Sequence, residues 1–262
     1  MSEARQVIGD PGPFTSRDLP PGSGYELDDG HPVLCMPSGG DSARGAGAAF
    51  QVLDTDPGVE EAGFDPGYEL GERTVRAPDI GVGNVPAARG WISGVPRLAV
   101  EYASSGQDEA KLQEKIELFL TSGTEWVWVV RLLGPQRVEV YQKNKAVQVL
   151  SPGQLIEAPG FLKNPVPVKA MFDRDEAHEV ALSNLLQRRG YSDLSEVGKE
   201  GREEGRKEGL RAALVSVLEA RGLEPTEAQR HLIAFELSAV RLERWVRAAA
   251  LAETVDRVLA DS

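Results

Sequence analysis

The chain has little of what several site chemistries need. It carries one cysteine, Cys35, in 262 residues. A single thiol excludes an intramolecular disulfide framework and any zinc site built on cysteines. The three histidines, His31, His178 and His231, are scattered without metal-ligand spacing and read as ordinary polar residues. Long apolar runs are missing too, since none approaches the about 18 residues that span a bilayer. The first 24 residues, "MSEARQVIGDPGPFTSRDLPPGSG", are polar and rich in Gly and Pro, whereas a secretory leader is basic and then apolar. A soluble cytoplasmic protein with no membrane partner is the expectation.

Positive charge is scarce as well. The formal net charge is −12 at pH 7, and residues 1 to 80 hold 15 Asp and Glu against 5 Arg. Acidity is therefore concentrated in the N-terminal third, and the remainder is nearly balanced. Such a distribution weakens a simple nucleic-acid-coating role, which needs a broad basic surface. It leaves room for a metal-dependent nuclease, because clustered carboxylates are what hold a hard divalent cation. A hydrophobic content of 41% is enough for a real core. The length suits one medium domain with an appendage, or two small domains.

What is present has a readable order. Residues 1 to 23 form a flexible lead-in by composition. "YELDDGHPVLCMP" predicts a hairpin turning at Asp29-Gly30. "GDSARGAGAAFQVL" predicts a small-residue helix, with Asp41 or Ser42 as its N-cap. An acidic loop rich in Gly and Pro follows, then a strand, a break at Pro78 and a second short strand. "RLAVEYA" predicts a buried strand at about 97 to 103. The next segment predicts a helix of about four turns. Its core face is Leu112, Ile116, Phe119 and Leu120, and Gly123 closes it. "TEWVWVVRLL", "RVEVYQK" and "AVQVL" predict three more strands, and a helix follows from about 174 to 189. A helix between two apolar strands implies a parallel crossover in an α/β sheet.

Beyond 196 the character changes. "GKEGREEGRKEGLRAALVSVLEARGL" sets Gly201, Gly205 and Gly209 four residues apart, which predicts a weak connector or a close-packed helical seam. Two amphipathic helices are expected after it, the second carrying Leu242, Trp245, Val246 and Leu251. Residues 196 to 262 are thus expected to form a helical tail module, a candidate surface for homo-oligomers.

The chemistry-bearing residues lie in the α/β part. Glu101 sits within a buried strand, where an unpaired carboxylate costs several kcal/mol. Asp79 opens the preceding strand. If the two strands pair, both carboxylates meet at one end of the sheet and offer hard oxygen ligands for Mg²⁺ or Mn²⁺. Lys115, one to two turns into the following helix, is placed to reach back to them. Taken singly, Asp79 is also a plain turn residue, and Lys115 a solvated lysine between Glu114 and Glu117. Lys111, one turn earlier, is a rival. Ser104 and Ser105 have no His and Asp arrangement around them, which argues against a serine hydrolase.

"APDIGV", "RLAVEYASS" and "EKIELFLTSGTEWVWVV", with "YELDDGHPVLCMP" before and "PGF" after, together resemble the bacterial putative restriction endonuclease family of the PD-(D/E)XK nuclease superfamily. The resemblance spans about residues 24 to 172. It implies a restriction-endonuclease-like mixed β-sheet core flanked by helices over 24 to 190. It also implies a metal pair of Asp79 and Glu101, a site lysine at Lys115 and an additional acidic residue at Glu26. The implied activity is Mg²⁺-dependent hydrolysis of nucleic acid, DNA before RNA. The superfamily's usual lysine position, two residues after the acid, is Ala103 here, and Arg131 stands where an aspartate is common. Those departures keep a second reading open, a catalytically weak nuclease-fold protein that binds or regulates through its helical tail.

Overall fold

The structure, a computed structural model, describes residues 12–104 and 108–260. The chain divides into two compact units, Met1–Gly190 and Tyr191–Ser262.

The first unit opens with the expected hairpin, β1 (Tyr25–Asp28) and β2 (His31–Leu34). Its turn residues Asp29 and Gly30 have φ of 44° and 86°, the pair of positive values that a two-residue I′ turn requires. The hairpin belongs to a five-stranded sheet ordered β2-β1-β5-β4-β7, with β4 at Tyr68–Gly71, β5 at Thr74–Arg76 and β7 at Ile92–Ser93. The lead-in is not simply flexible. Leu19 is buried beside Leu27 and Val75, and Trp91 Nε1 donates to the carbonyls of Ser16 and Leu19 at 3.0 and 2.8 Å. Leu19 and Phe14 pack on this cluster, and the Phe14 and Ser16 amides donate to the carbonyls of Gly30 and Glu72, so residues 12 to 23 are docked, while residues 1 to 11 lie outside the described residues.

Helix α1 (Gly40–Thr55) follows. Its N-cap is Gly39, two residues before Asp41 and three before Ser42, and no side chain caps it. Asp41 instead sits in the first turn, its Oδ1 accepting from the Ser42 amide at 2.8 Å, where its charge still favours the helix dipole. The stretch expected to be an acidic loop contains two strands, β3 (Ala62–Phe64) and β4. Short strands among Gly and Pro have no periodicity of their own, so their partners define them.

The second sheet holds six strands ordered β11-β10-β9-β8-β6-β3. Its members are β6 (Ile80–Val82), β8 (Leu98–Ala103), β9 (Trp126–Arg131), β10 (Arg137–Tyr141) and β11 (Gln148–Leu150), beside β3. β8 and β9 pair in parallel, Leu98 with Trp126 through Ala103 with Arg131. The crossover between them is α2 (Glu109–Ser122), capped by Asp108 and ended at Gly123 with φ of 118°. Ser105 and Gly106, between β8 and the helix, lie outside the described residues. Leu112, Ile116 and Phe119 pack on Ala99, Ala103, Val127 and Val129. The alternate residues Leu98, Val100 and Tyr102 face the larger core under α1, as a period of two demands.

A small pair, β12 (Leu155–Ile156) and β13 (Val166–Pro167), and α3 (Arg174–Arg188) complete the unit. Asn184 donates to the buried Val52 carbonyl at 3.1 Å. Arg188 donates to the carbonyls of Asp54, Thr55 and Asp56 at 2.7 to 2.9 Å, covering acceptors that the end of α1 leaves open.

The second unit contains α4 (Leu194–Ala220), α5 (Glu227–Phe235), α6 (Ala239–Ala249) and α7 (Val255–Leu259). Leu214, Leu218, Ile233, Leu242, Trp245 and Val258 form its core. Of the two alternatives for the glycines, the close-packed seam is not formed here, because a Cβ built at Gly201, Gly205 or Gly209 meets nothing within 4 Å, which leaves the weak connector. The expectation for the helices after it fails. Three helices, not two, follow α4, and α6 stops before Leu251, which is 85% exposed. No helix among the described residues is long and apolar enough to cross a membrane.

Tyr102 fixes α1 on the sheet. Its hydroxyl donates to the Gly45 and Met171 carbonyls, both at 2.8 Å, and a Cβ at Gly45 would lie 2.6 Å from its ring. Gly45→Ala therefore overpacks a fixed ring, at about 1–3 kcal/mol, against a helix-propensity gain of about 1 kcal/mol. A lower urea midpoint, with a net loss of up to about 2 kcal/mol, is expected; an unchanged or raised midpoint would show that the ring can move aside.

Candidate metal centre

The site grows out of strand register. β6 and β8 are antiparallel with Ile80 opposite Val100, so one further step sets Asp79 opposite Glu101. Pro78 ends pairing just before that step and frees the Asp79 side chain to turn inward. Its Oδ2 accepts from the Tyr102 amide at 2.6 Å. By the alternation of β8, Glu101 faces the side covered by α2. Glu101 is 7% exposed.

Lys115 reaches down from α2 into this corner. Its Nζ lies 2.8 Å from Glu101 Oε1 and 3.7 Å from Glu26 Oε1, and donates to the Ala77 carbonyl at 2.8 Å. Glu26 comes from β1 in the other sheet. Its Oε1 accepts from the Ala77 amide at 3.0 Å and its Oε2 from Arg76 at 3.2 Å. The Lys115 ammonium is the sole partner of the buried Glu101 Oε1 among the described residues, and losing it would leave a carboxylate oxygen sealed from water without a partner.

All four residues singled out from the sequence line one cleft of about 640 Å³. Lys111 lines it too, but is exposed and holds none of the carboxylates. Ala103, at the superfamily's usual lysine position, is buried beneath α2 among apolar side chains. The lysine that meets Glu101 arrives over the same face of β8, from the helix instead. Arg131 is buried and paired, its Nε 2.9 Å from Glu139 and its guanidinium 2.6 Å from Glu109. Asp65 also lines the cleft, and sequence reasoning missed it. The signal that could have found it is again register. β3 pairs with β6, Phe64 opposite Ile80, which places Asp65 opposite Asp79.

Electrostatics follow from this crowding. Burial pushes the Glu101 carboxyl up to about 8, against the pull of Lys115 and with a push from Asp79 and Glu26. Burial raises Asp79 as well, although the Tyr102 amide opposes it. Desolvation works against the Lys115 ammonium, but Glu101 and Glu26 outweigh it and hold the amine protonated. A corner whose carboxylates resist ionisation, with one lysine among them, has capacity for a further positive charge. Its donors are hard oxygens, which suit Mg²⁺ or Mn²⁺. Among the described residues no three His, Cys, Asp or Glu side chains form a ready cage. Mg²⁺ is commonly held by one or two carboxylates, with waters and substrate phosphate supplying the rest. Asp79 and Glu101 fit that mode.

A mixed sheet with a parallel crossover, carrying two acids and a lysine at one end, is the architecture of restriction-endonuclease-like nucleases. The Uma2 family model, described as "Putative restriction endonuclease", matches residues 14–166. That is more than half of the chain, and the chain belongs to this family. A crystal structure described as "a putative nuclease belonging to DUF820", from Anabaena variabilis ATCC 29413, matches with a TM-score of 0.54 and 21% identity. The match covers 63% of this chain and 99% of that one; at this identity the likeness is one of fold. No curated protein matches the chain.

Removing the cation should expose the balance of charge. Glu101, raised above its ordinary value, is a carboxyl whose ionisation the folded state resists. Without metal, stability therefore falls as pH rises from about 4.5 toward 8, the sign set by the folded state binding the extra proton. Lys115→Met is expected to cost about 3 kcal/mol at pH 8 and clearly less at pH 5, where protonation relieves the carboxylates. Guanidinium unfolding at the two pH values measures the difference; equal costs would mean that Lys115 does not neutralise the corner.

Proposed function

We propose that this protein is a divalent-metal-dependent endonuclease that hydrolyses phosphodiester bonds of nucleic acid, DNA in the first place. The observation that carries the proposal is the meeting of Asp79, Glu101 and Lys115 in one cleft, from the start of β6, the end of β8 and the helix α2. Asp79 and Glu101 are the proposed ligands of Mg²⁺ or Mn²⁺. When bound, such an ion polarises a phosphoryl oxygen and makes water acidic enough to attack phosphorus. The Tyr102 amide fixes the Asp79 carboxylate, and Glu26 with the Ala77 carbonyl fixes Lys115. Lys115 stabilises the negative charge that grows on the phosphate in the transition state. Its position under the cleft suits that role better than the exposed Lys111.

Nicking of supercoiled plasmid in Mg²⁺ or Mn²⁺ tests this reading. Asp79→Ala and Glu101→Ala are expected to remove activity while the protein stays folded by circular dichroism. Lys115→Ala should lower kcat by about 10²-fold or more, and Lys111→Ala by less than about threefold. A folded wild type that neither nicks nor binds the metals would leave the binding or regulatory reading instead.

The helical unit supports a role in self-association, since Phe235, Leu237 and Val240 are 67%, 73% and 77% exposed. Sedimentation of the wild type against Phe235→Ser with Val240→Ser checks it. A lower mass for the double variant is expected, and an unchanged mass removes the role.

A further inference from the structure

The six-stranded sheet aligns three acids, not two. Phe64 pairs with Ile80, and Ile80 with Val100. One step further along each ladder, Asp65, Asp79 and Glu101 stand side by side across β3, β6 and β8. The Asp65 amide donates to the Asp79 carbonyl at 3.2 Å, which carries the pairing through that position. Asp65 holds φ at 45°, a conformation uncommon outside glycine but tolerated by Asp and Asn.

Asp65 and Asp79 also face two spaces at once. Both line the main cleft, and both line a second cavity of about 330 Å³ with Ser42, Ala46, Phe64 and Tyr102. The Asp65 carboxylate makes no hydrogen bond or ion pair among the described residues, whereas Asp79, Glu101 and Glu26 are each engaged. An independent observation marks the row as a place for a cation. The sealed Glu101 Oε1 meets only the Lys115 ammonium, at 2.8 Å, and has no other partner among the described residues.

We propose that Asp65 is a third acidic member of the metal site, a positioning residue that acts on the cation through water. The inference rests on the metal-dependent reading above. Direct ligation is not what the arrangement offers, since no ready three-residue cage exists among the described residues. Mg²⁺ keeps several of its waters, and a carboxylate on the outer side of those waters orients them and adds attraction. Partners of this kind are worth about 10–100-fold in metal affinity. With its side chain between the two cavities, Asp65 orders water on the side of Asp79 away from Lys115.

Titration of the full chain with Mn²⁺, followed by the electron paramagnetic resonance of the free ion, tests the proposal without reference to activity. Two variants separate charge from backbone. Asp65→Asn keeps the shape and tolerates the positive φ, and Asp65→Gly keeps the φ and removes the side chain. Both are expected to weaken Mn²⁺ binding about tenfold with melting temperatures near the wild type, while Asp79→Asn abolishes binding. Wild-type affinity in Asp65→Asn would overturn the role of Asp65 and leave the Asp79 and Glu101 site standing. A wild type that binds no Mn²⁺ would overturn the metal reading itself, and this inference with it.

Discussion

Lys115 carries its ammonium into a corner where one helix and two sheets meet, touching Glu101 on β8, Glu26 on β1 and the Ala77 carbonyl before β6. Without that cation, Glu26, Asp79 and Glu101 would repel one another across a poorly solvated cleft. With it, the β1 hairpin, the break at Pro78 and the end of β8 are tied to a single point. The parallel crossover makes this affordable, because α2 lies directly over the strand whose acid it neutralises. Architecture and charge are therefore one constraint. The helix must cover β8 for Leu112, Ile116 and Phe119 to be buried, and Lys115 shares that register.

The same geometry explains why an alanine can stand where related nucleases place their lysine. Ala103 follows Glu101 on the same face of β8, and its small side chain lets α2 pack closely. A lysine there would have to leave the apolar layer to reach the cleft. Supplying the amine from above keeps the layer dry and the charge at its edge. Arg131, opposite Ala103 on β9, is absorbed by Glu109 and Glu139 and leaves the balance in the cleft unchanged.

Much of this was legible in the sequence, and for identifiable reasons. The near-continuous apolar run of "RLAVEYA" and the 3.6-residue spacing of the α2 core residues fixed the crossover, and with it the neighbourhood of Glu101 and Lys115. Asp79 followed from a proline that interrupts a strand. Asp65 was not legible, because β3 is three residues long between Gly and Pro and becomes a strand only by pairing with β6. Leu19 was hidden for a similar reason, one of a few isolated apolar residues in a segment whose composition signals disorder. The tail glycines left two alternatives, a weak connector and a tight seam, that the sequence could not separate. Their spacing suits a tight interface, but spacing says nothing about whether a partner is present.

The solvated start of α4 has a consequence of its own. From Ser195 to Gly205 the helix carries three glycines and no buried side chain, and each glycine costs it about 1 kcal/mol relative to alanine. The packed turns around Leu214 and Leu218 do not depend on it. This stretch can unwind and rewind while the cores on either side of it stay intact, which makes it a fuse in the chain: the place where a pull, a protease or a change of temperature acts first.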